Sequence, residues 1–310
     1  MVKFIVIDKS KIIKCFILIL LTIFLCSMFF IFFFKEKTIS SFISSSIHNN
    51  TEKDFDGDGS IDSLIIDKKN NHYIVKIKTS KNEYTLKNDV LGDALIDLYD
   101  SVAIKINTID LSRDGLPEII LSGYKNASPI TYIFKWLNDD FKEVFSTQKN
   151  ICGVLDSSNS RTPKILYTLS DKGDEATEAF IFNGTSTKDI SFSKPQIPSL
   201  DVIQKFIDLI QLDYEIAETP DLFTAYINSD ELGILWTLNK ETYRYSFQNG
   251  YFYDINWDKN GLPASIIWSL SFEKVNSTDS SKLKEELFFS IKTDINEFGE
   301  YKISSIKKYN

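Results

Sequence analysis

Cysteine is scarce: the chain of 310 residues has 3, at Cys15, Cys26 and Cys152. Cys15 and Cys26 fall in an uncharged N-terminal run, so Cys152 has no partner for an intrachain disulfide in the remainder. Histidine is scarcer, with only His48 and His72. That excludes an H-E-x-x-H motif and Cys/His zinc spacing, and leaves no histidine placed for a Ser or Cys triad. Neither a phosphate-cradling glycine loop nor G-x-S-x-G is present. Positive charge is also short: Lys and Arg number 35 against 43 Asp and Glu, a net charge of −8. This argues against nucleic acid as a partner and fits a chain that collects divalent cations. Two carboxylates on different strands could still make a glycosidase without leaving a sequence signature, but no constellation points to such a pair.

The first feature present is a long apolar run. Residues 15–34 carry no charge. At about 1.5 Å per residue they match a hydrocarbon core about 30 Å thick. Lys3, Lys9, Lys11 and Lys14 precede the run, and Lys35, Glu36 and Lys37 follow it. The stronger positive flank is expected in the cytoplasm, which puts the rest of the chain outside the cell membrane. A cleavable signal peptide is the alternative, but its apolar region is normally shorter and no A-x-A-like site follows. Residues 1–38 therefore read as a cytoplasmic stub and single-pass anchor in the lipid bilayer. Residues 39–53, rich in Ser and Asn, read as a tether. A thiol-poor exported protein suits a Gram-positive bacterium.

The second feature is a loop, Asp54-Phe-Asp56-Gly-Asp58-Gly-Ser-Ile-Asp62. Oxygen side chains at alternate positions can wrap one hard cation, and the glycines allow the sharp turn. An EF-hand would need an acid at its twelfth position, which is Ile65 here. The acid comes early, at Asp62, and Tyr73, Val75 and Ile77 then share one strand face. The loop should open a β-hairpin. The frame returns as Asp110-Leu-Ser112-Arg-Asp114-Gly-Leu-Pro-Glu118. It returns in weaker form at Asp156-Ser-Ser158-Asn-Ser160-Arg-Thr-Pro-Lys164 and at Asn256–Ala264. Internal similarity of this kind marks a repeat architecture. The expected metal ligands are Asp54, Asp56, Asp58, Asp62, Asp110, Ser112, Asp114 and Glu118. Plain turns are expected in the last two copies.

Over about residues 54–193 these loops resemble the FG-GAP/VCBS repeat family, the calcium-loop blades also found in integrin α-subunit propellers. The resemblance rests on the pattern D-x-[DNS]-x-D-G-x-x-[DE] running into an apolar strand. It implies β-propeller-like blades, Ca²⁺ on the blade loops and an extracellular interaction role. Three units cannot by themselves close a propeller of four or more blades.

Pro195 and Pro198 mark a break, and Ile203, Phe206, Ile207, Ile210 and Tyr214 then follow helical spacing over about 199–217. Ser199 or Asp201 is expected to cap that helix, and Thr219-Pro220 to end it. A domain boundary is placed before it, dividing repeats at 54–198 from a helix-plus-sheet module at 199–310. In that module Tyr243–Phe247 and Tyr251–Ile255 alternate around Gln248-Asn-Gly250, which predicts a hairpin. The final strand pair, joined through Asn296–Gly299, resembles the last hairpin of the NTF2-like fold. The expectation is a mainly β protein with an N-terminal transmembrane helix, propeller-like blades and an α+β or β-rich C-terminal module. Its expected role is non-enzymatic binding of a surface protein or glycan. The alternatives are a cell-surface carboxylate-dependent hydrolase and a docking subunit of a membrane complex.

Overall fold

Strands form where β-branched and aromatic residues run together, and asparagine-led turns divide them. Asn70-Asn71, Asn126-Ala127 and Asn138-Asp139 all have positive φ at both residues. That is the geometry of two-residue hairpin turns, whose twist matches that of the flanking strands.

The structure, a computed structural model, describes residues 43–44, 51–99, 102–156, 161–279 and 284–309. The expected span at 15–34 with Cys15 and Cys26, His48 of the tether, and Ser158 and Ser160 of the third loop lie outside the described residues. Among the described residues no helix is long and apolar enough to cross a membrane.

The chain is mainly β. Its first half contains β1 (Ile43–Ser44), β2 (Thr51–Lys53), β3 (Asp62–Lys69), β4 (His72–Lys78), β5 (Glu83–Thr85), β6 (Ile96–Asp97), β7 (Lys105–Ile109), β8 (Glu118–Lys125), β9 (Ser128–Leu137) and β10 (Asp140–Thr147). Then come β11 (Ile151–Leu155), β12 (Lys164–Thr168), β13 (Glu178–Asn183), β14 (Ser186–Asp189), helices α1 (Leu200–Gln211) and α2 (Ser229–Gly233), β15 (Tyr243–Trp257), β16 (Pro263–Asn276), β17 (Glu285–Ile295) and β18 (Tyr301–Tyr309). They build three sheets. The first runs β2-β3-β4-β5 with β6 also on β4, the second β1-β7-β8-β9-β10, and the third β14-β13-β12-β11-β15-β16-β17-β18. None of these closes into a barrel. Strands from both sides of the boundary expected at 198 share the third sheet.

The period-2 alternation of strands explains how the sheets stack. On β8, Ile119 and Leu121 enter a core shared with Phe55, Leu64 and Ile77 of the first sheet. Ile120, between them, faces the other way, into a core with Val154, Ile165 and Phe180 of the third sheet. The third sheet does the same. Ile165 and Tyr167 face the second sheet, whereas Leu166 joins the core formed with Ile203, Phe206 and Ile210 of α1. The result is a succession of sheet, sheet, sheet and helix, each interface filled by alternate side chains. One ion pair crosses from the second sheet to the third: Lys105 Nζ lies 2.5 Å from Glu286 Oε1.

Three expectations need correction. The hairpin at 248–250 does not form: β15 is continuous and absorbs Gln248 as a bulge against β16. Gly250 is there for close approach, since a Cβ would lie 3.2 Å from Leu270 Cδ2. The helix stops at Gln211, and Tyr214, expected on its apolar face, is 65% exposed. Lys240 ends it by donating to the carbonyls of Leu209, Ile210 and Leu212. Burial pulls the pKa of that lysine down to about 8. Ser199 does not cap the helix with its side chain. Its Oγ accepts hydrogen bonds from Trp268 Nε1 at 2.9 Å and Thr293 Oγ1 at 2.9 Å.

Strands β11 and β15 are joined in parallel, and Gly153 pairs with Phe252 at the seam. A Cβ at Gly153 would fall 2.4 Å from the Phe252 ring and 2.4 Å from its carbonyl oxygen. Gly153→Ala is therefore expected to destabilise the chain by about 1–3 kcal/mol, the usual cost of overpacking. A lowered urea midpoint checks it, and an unchanged midpoint contradicts the seam described here.

Candidate metal centre

The loop before β3 closes on its own backbone. Asp54 Oδ1 accepts the Gly57 N–H at 2.7 Å and Oδ2 accepts the Gly59 N–H at 3.0 Å. Gly57 and Gly59 have φ of 79° and 85°, which a side chain would strain. Asp56 Oδ1 accepts the Asp58 N–H at 3.1 Å, and Asp58 Oδ1 accepts the Ser60 N–H at 2.8 Å. These short bonds turn the odd-numbered side of the frame inward. Asp54, Asp56 and Asp58 each bring a carboxylate oxygen within 4.8 Å of the others. Among the described residues this is the one such group of three.

Asp62, the last acid of the frame, is not part of that group of three. It is 1% exposed, and its Oδ2 accepts the N–H of buried Phe55 at 2.7 Å. Its other oxygen, Oδ1, is buried and has no hydrogen-bond partner. Burial raises the pKa of this carboxyl, and the nearby Asp56 and Asp54 charges raise it further. Asp58 goes the other way, down to about 2, chiefly through the hydrogen bond that Ser80 Oγ donates at 2.5 Å. A buried carboxylate oxygen without a partner, near the Asp54 and Asp56 charges, is costly unless a cation neutralises it. The donor set is all oxygen, which suits a hard divalent ion. Asp54, Asp56, Asp58 and Asp62 are the residues that would hold it.

The second loop has the same backbone. Asp110 Oδ1 accepts the Arg113 N–H at 2.7 Å and Oδ2 the Gly115 N–H at 3.1 Å. Asp114 Oδ1 accepts the Leu116 N–H at 3.0 Å. Glu118 Oε2 accepts the N–H of buried Leu111 at 2.6 Å, as Asp62 does for Phe55. The remaining oxygens, however, are taken. Lys135 Nζ lies 2.5 Å from Ser112 Oγ, 2.5 Å from Asp114 Oδ2 and 2.8 Å from Glu118 Oε1. Lys135 is 2% exposed. Burial pulls its pKa down, but hydrogen bonds to Asp114 and Glu118 outweigh this and hold it above the usual lysine value, so it is an ammonium. Ser112, Asp114 and Glu118, expected as metal ligands together with Asp110, all hydrogen-bond to the Lys135 ammonium.

Sequence reasoning missed Lys135, and a signal for it existed. It is 17 residues beyond Glu118, and the same step from Asp62 reaches Thr79. The pairing of Ile119 with Phe134 and of Ser63 with Lys78 puts Lys135 and Thr79 at one register position. A lysine interrupting Ile-Thr-Tyr-Ile-Phe on a buried strand asks for a carboxylate partner. In the third copy Asp156 Oδ2 accepts the Arg161 N–H at 2.5 Å, the counterpart of the Gly59 and Gly115 bonds, and Lys164 stands exposed in the acid's place. The fourth copy is a turn in which Asp258 Oδ1 accepts the Asn260 and Leu262 N–H groups, each at 2.8 Å.

No known protein family and no curated protein matches the chain.

Because Asp62 holds its proton more tightly than a free carboxyl, its contribution to metal-free stability is full below the ordinary value of 3.8 and is lost as pH rises through the raised pKa. A metal reverses that sign by binding the ionised form. Calcium titration calorimetry should show proton release that grows as the pH is lowered from about 7 toward about 4. Asp62→Asn should abolish it. Binding enthalpies that do not depend on the buffer's ionisation at any pH would contradict this role.

Proposed function

We propose that this chain is a membrane-anchored, extracytoplasmic, non-enzymatic protein whose stacked sheets are FG-GAP/VCBS-like blades stiffened by Ca²⁺ in the loop at 54–62. The anchor is residues 15–34, on the sequence argument of length and flanking lysines. Two observations support the metal part: the carboxylate oxygens of Asp54, Asp56 and Asp58 lie within 4.8 Å of one another, and the buried Oδ1 of Asp62, whose pKa the Asp56 and Asp54 charges raise, has no hydrogen-bond partner. Calcium suits these residues through its preference for several carboxylate oxygens in an adaptable loop. Bound there, it would neutralise the carboxylate cluster and tie the start of β3 to the turn before it.

Binding of a protein or glycan is supported by what lies beside the loop. A cleft of about 400 Å³ is lined by Asp58, Asn82, Tyr84, Trp136 and Asp139, among others. Aromatic faces with amide and carboxylate groups suit a ligand rich in hydroxyls better than an apolar one. The non-enzymatic reading is supported by His72, whose Nδ1 pairs with Asp97 Oδ1 at 2.9 Å. Asp97 also binds Lys125 Nζ and the Asn126 N–H, so this histidine ties β4 to β6 and to the β8–β9 turn.

Thermal unfolding of the full chain in detergent, calcium-loaded against chelated, tests the proposal. Calcium is expected to raise the midpoint by a few degrees, as on the order of 1–3 kcal/mol of linkage would do. Asp62→Asn should remove most of that rise. A wild-type midpoint indifferent to calcium would overturn the metal part of the reading.

A further inference from the structure

The two complete loops share one backbone and differ at one decisive place. Opposite the last acid of the frame, the first repeat has Thr79 and the second has Lys135. In the first repeat the acid's second oxygen, Asp62 Oδ1, has no partner. In the second, the corresponding oxygen, Glu118 Oε1, lies 2.8 Å from Lys135 Nζ. The same Nζ also reaches Ser112 and Asp114, whose counterparts Asp56 and Asp58 belong to the carboxylate group of the first loop. Beyond it, 5.9 Å away, is the ring of Phe182 from the third sheet.

We infer that Lys135 is the built-in cation of the second loop, and that the chain therefore takes one divalent ion rather than one per repeat. The argument is one of charge and space. An ammonium hydrogen-bonded to three oxygens occupies the point toward which those oxygens converge, and a divalent ion at that point would meet it at repulsive distance. Expelling Lys135 would require moving a side chain that is 2% exposed, together with its charge, out of a packed strand face. A covalently tethered cation also needs no ion from solution, so the second loop stays closed when the first is stripped of metal. The loops touch, since a Cβ at Gly57 would lie 3.2 Å from Leu116 Cδ2, and beside them Lys53 Nζ of β2 donates to the Thr108 carbonyl of β7 at 3.0 Å. The permanently closed loop is thus a fixed wall against which the metal-dependent one orders.

This inference rests on the calcium reading of the first loop, and the test separates the two. Calcium stoichiometry is measured by titration calorimetry on the full chain in detergent, for wild type, Asp62→Asn, Lys135→Thr and the double variant. Lys135→Thr gives the second loop the residue that the first loop has. The expected result is one ion for wild type, none for Asp62→Asn, two for Lys135→Thr and one for the double variant. If wild type binds none but Lys135→Thr binds one, the first-loop reading fails and the role of Lys135 stands. Two ions in wild type, or a folded Lys135→Thr with no added site, overturns it. Should Lys135→Thr fail to fold even with calcium, the Asp62→Asn chain decides: no bound ion upholds the inference and one bound ion overturns it.

Discussion

A carboxylate removed from water needs a positive charge or several hydrogen-bond donors beside it, and in this chain that requirement shapes each repeat. The frame brings its last acid under the loop, where the N–H of a buried apolar residue holds one oxygen: Phe55 for Asp62, Leu111 for Glu118. The other oxygen then faces inward and has to be neutralised. Lys135 does so in the second repeat. In the first repeat no side chain does. The third copy removes the need, because Lys164 replaces the acid and sits opposite Ile181. One constraint thus has three different outcomes on one frame.

The stacking of sheets gives these loops their mechanical place. The second loop precedes β8, whose alternate residues feed two cores, whereas the first precedes β3, which feeds only the core between the first and second sheets. Ile119 and Ile120 of β8 serve different cores although they are adjacent. The first interface meets the loop at Asp54–Asp62 through Leu116, beside Gly57, and its neighbour β2 through the bond from Lys53 to the Thr108 carbonyl. On the proposed function, the stack would have one ion-dependent joint at 54–62 and one joint at 110–118 closed by Lys135.

Much of this could be read from the sequence where the signal is local. The two acidic frames, the hairpins after them, and the shared face of Tyr73, Val75 and Ile77 follow from spacing alone. What sequence reasoning misread depended on long-range contacts. Gln248-Asn-Gly250 carries turn residues, yet the chain runs straight through, because Gly250 gives room to Leu270 and Ile151 on neighbouring strands. The helix is shorter than its periodicity predicts, because the lysine that ends it, Lys240, is far along the chain. Lys135 was passed over for a related reason. Its meaning comes from the strand register opposite Glu118, which is visible only when the repeats are aligned through their second strands.

On the proposed reading one loop needs an outside cation and its twin carries Lys135 as its own. Amide hydrogen exchange on the full chain, with calcium and with chelator, tests this most directly. The N–H groups of Gly57 and Gly59 should gain protection with calcium, while those of Arg113 and Gly115 stay equally protected in both conditions. Equal gains at both loops, or none at 54–62, would contradict it.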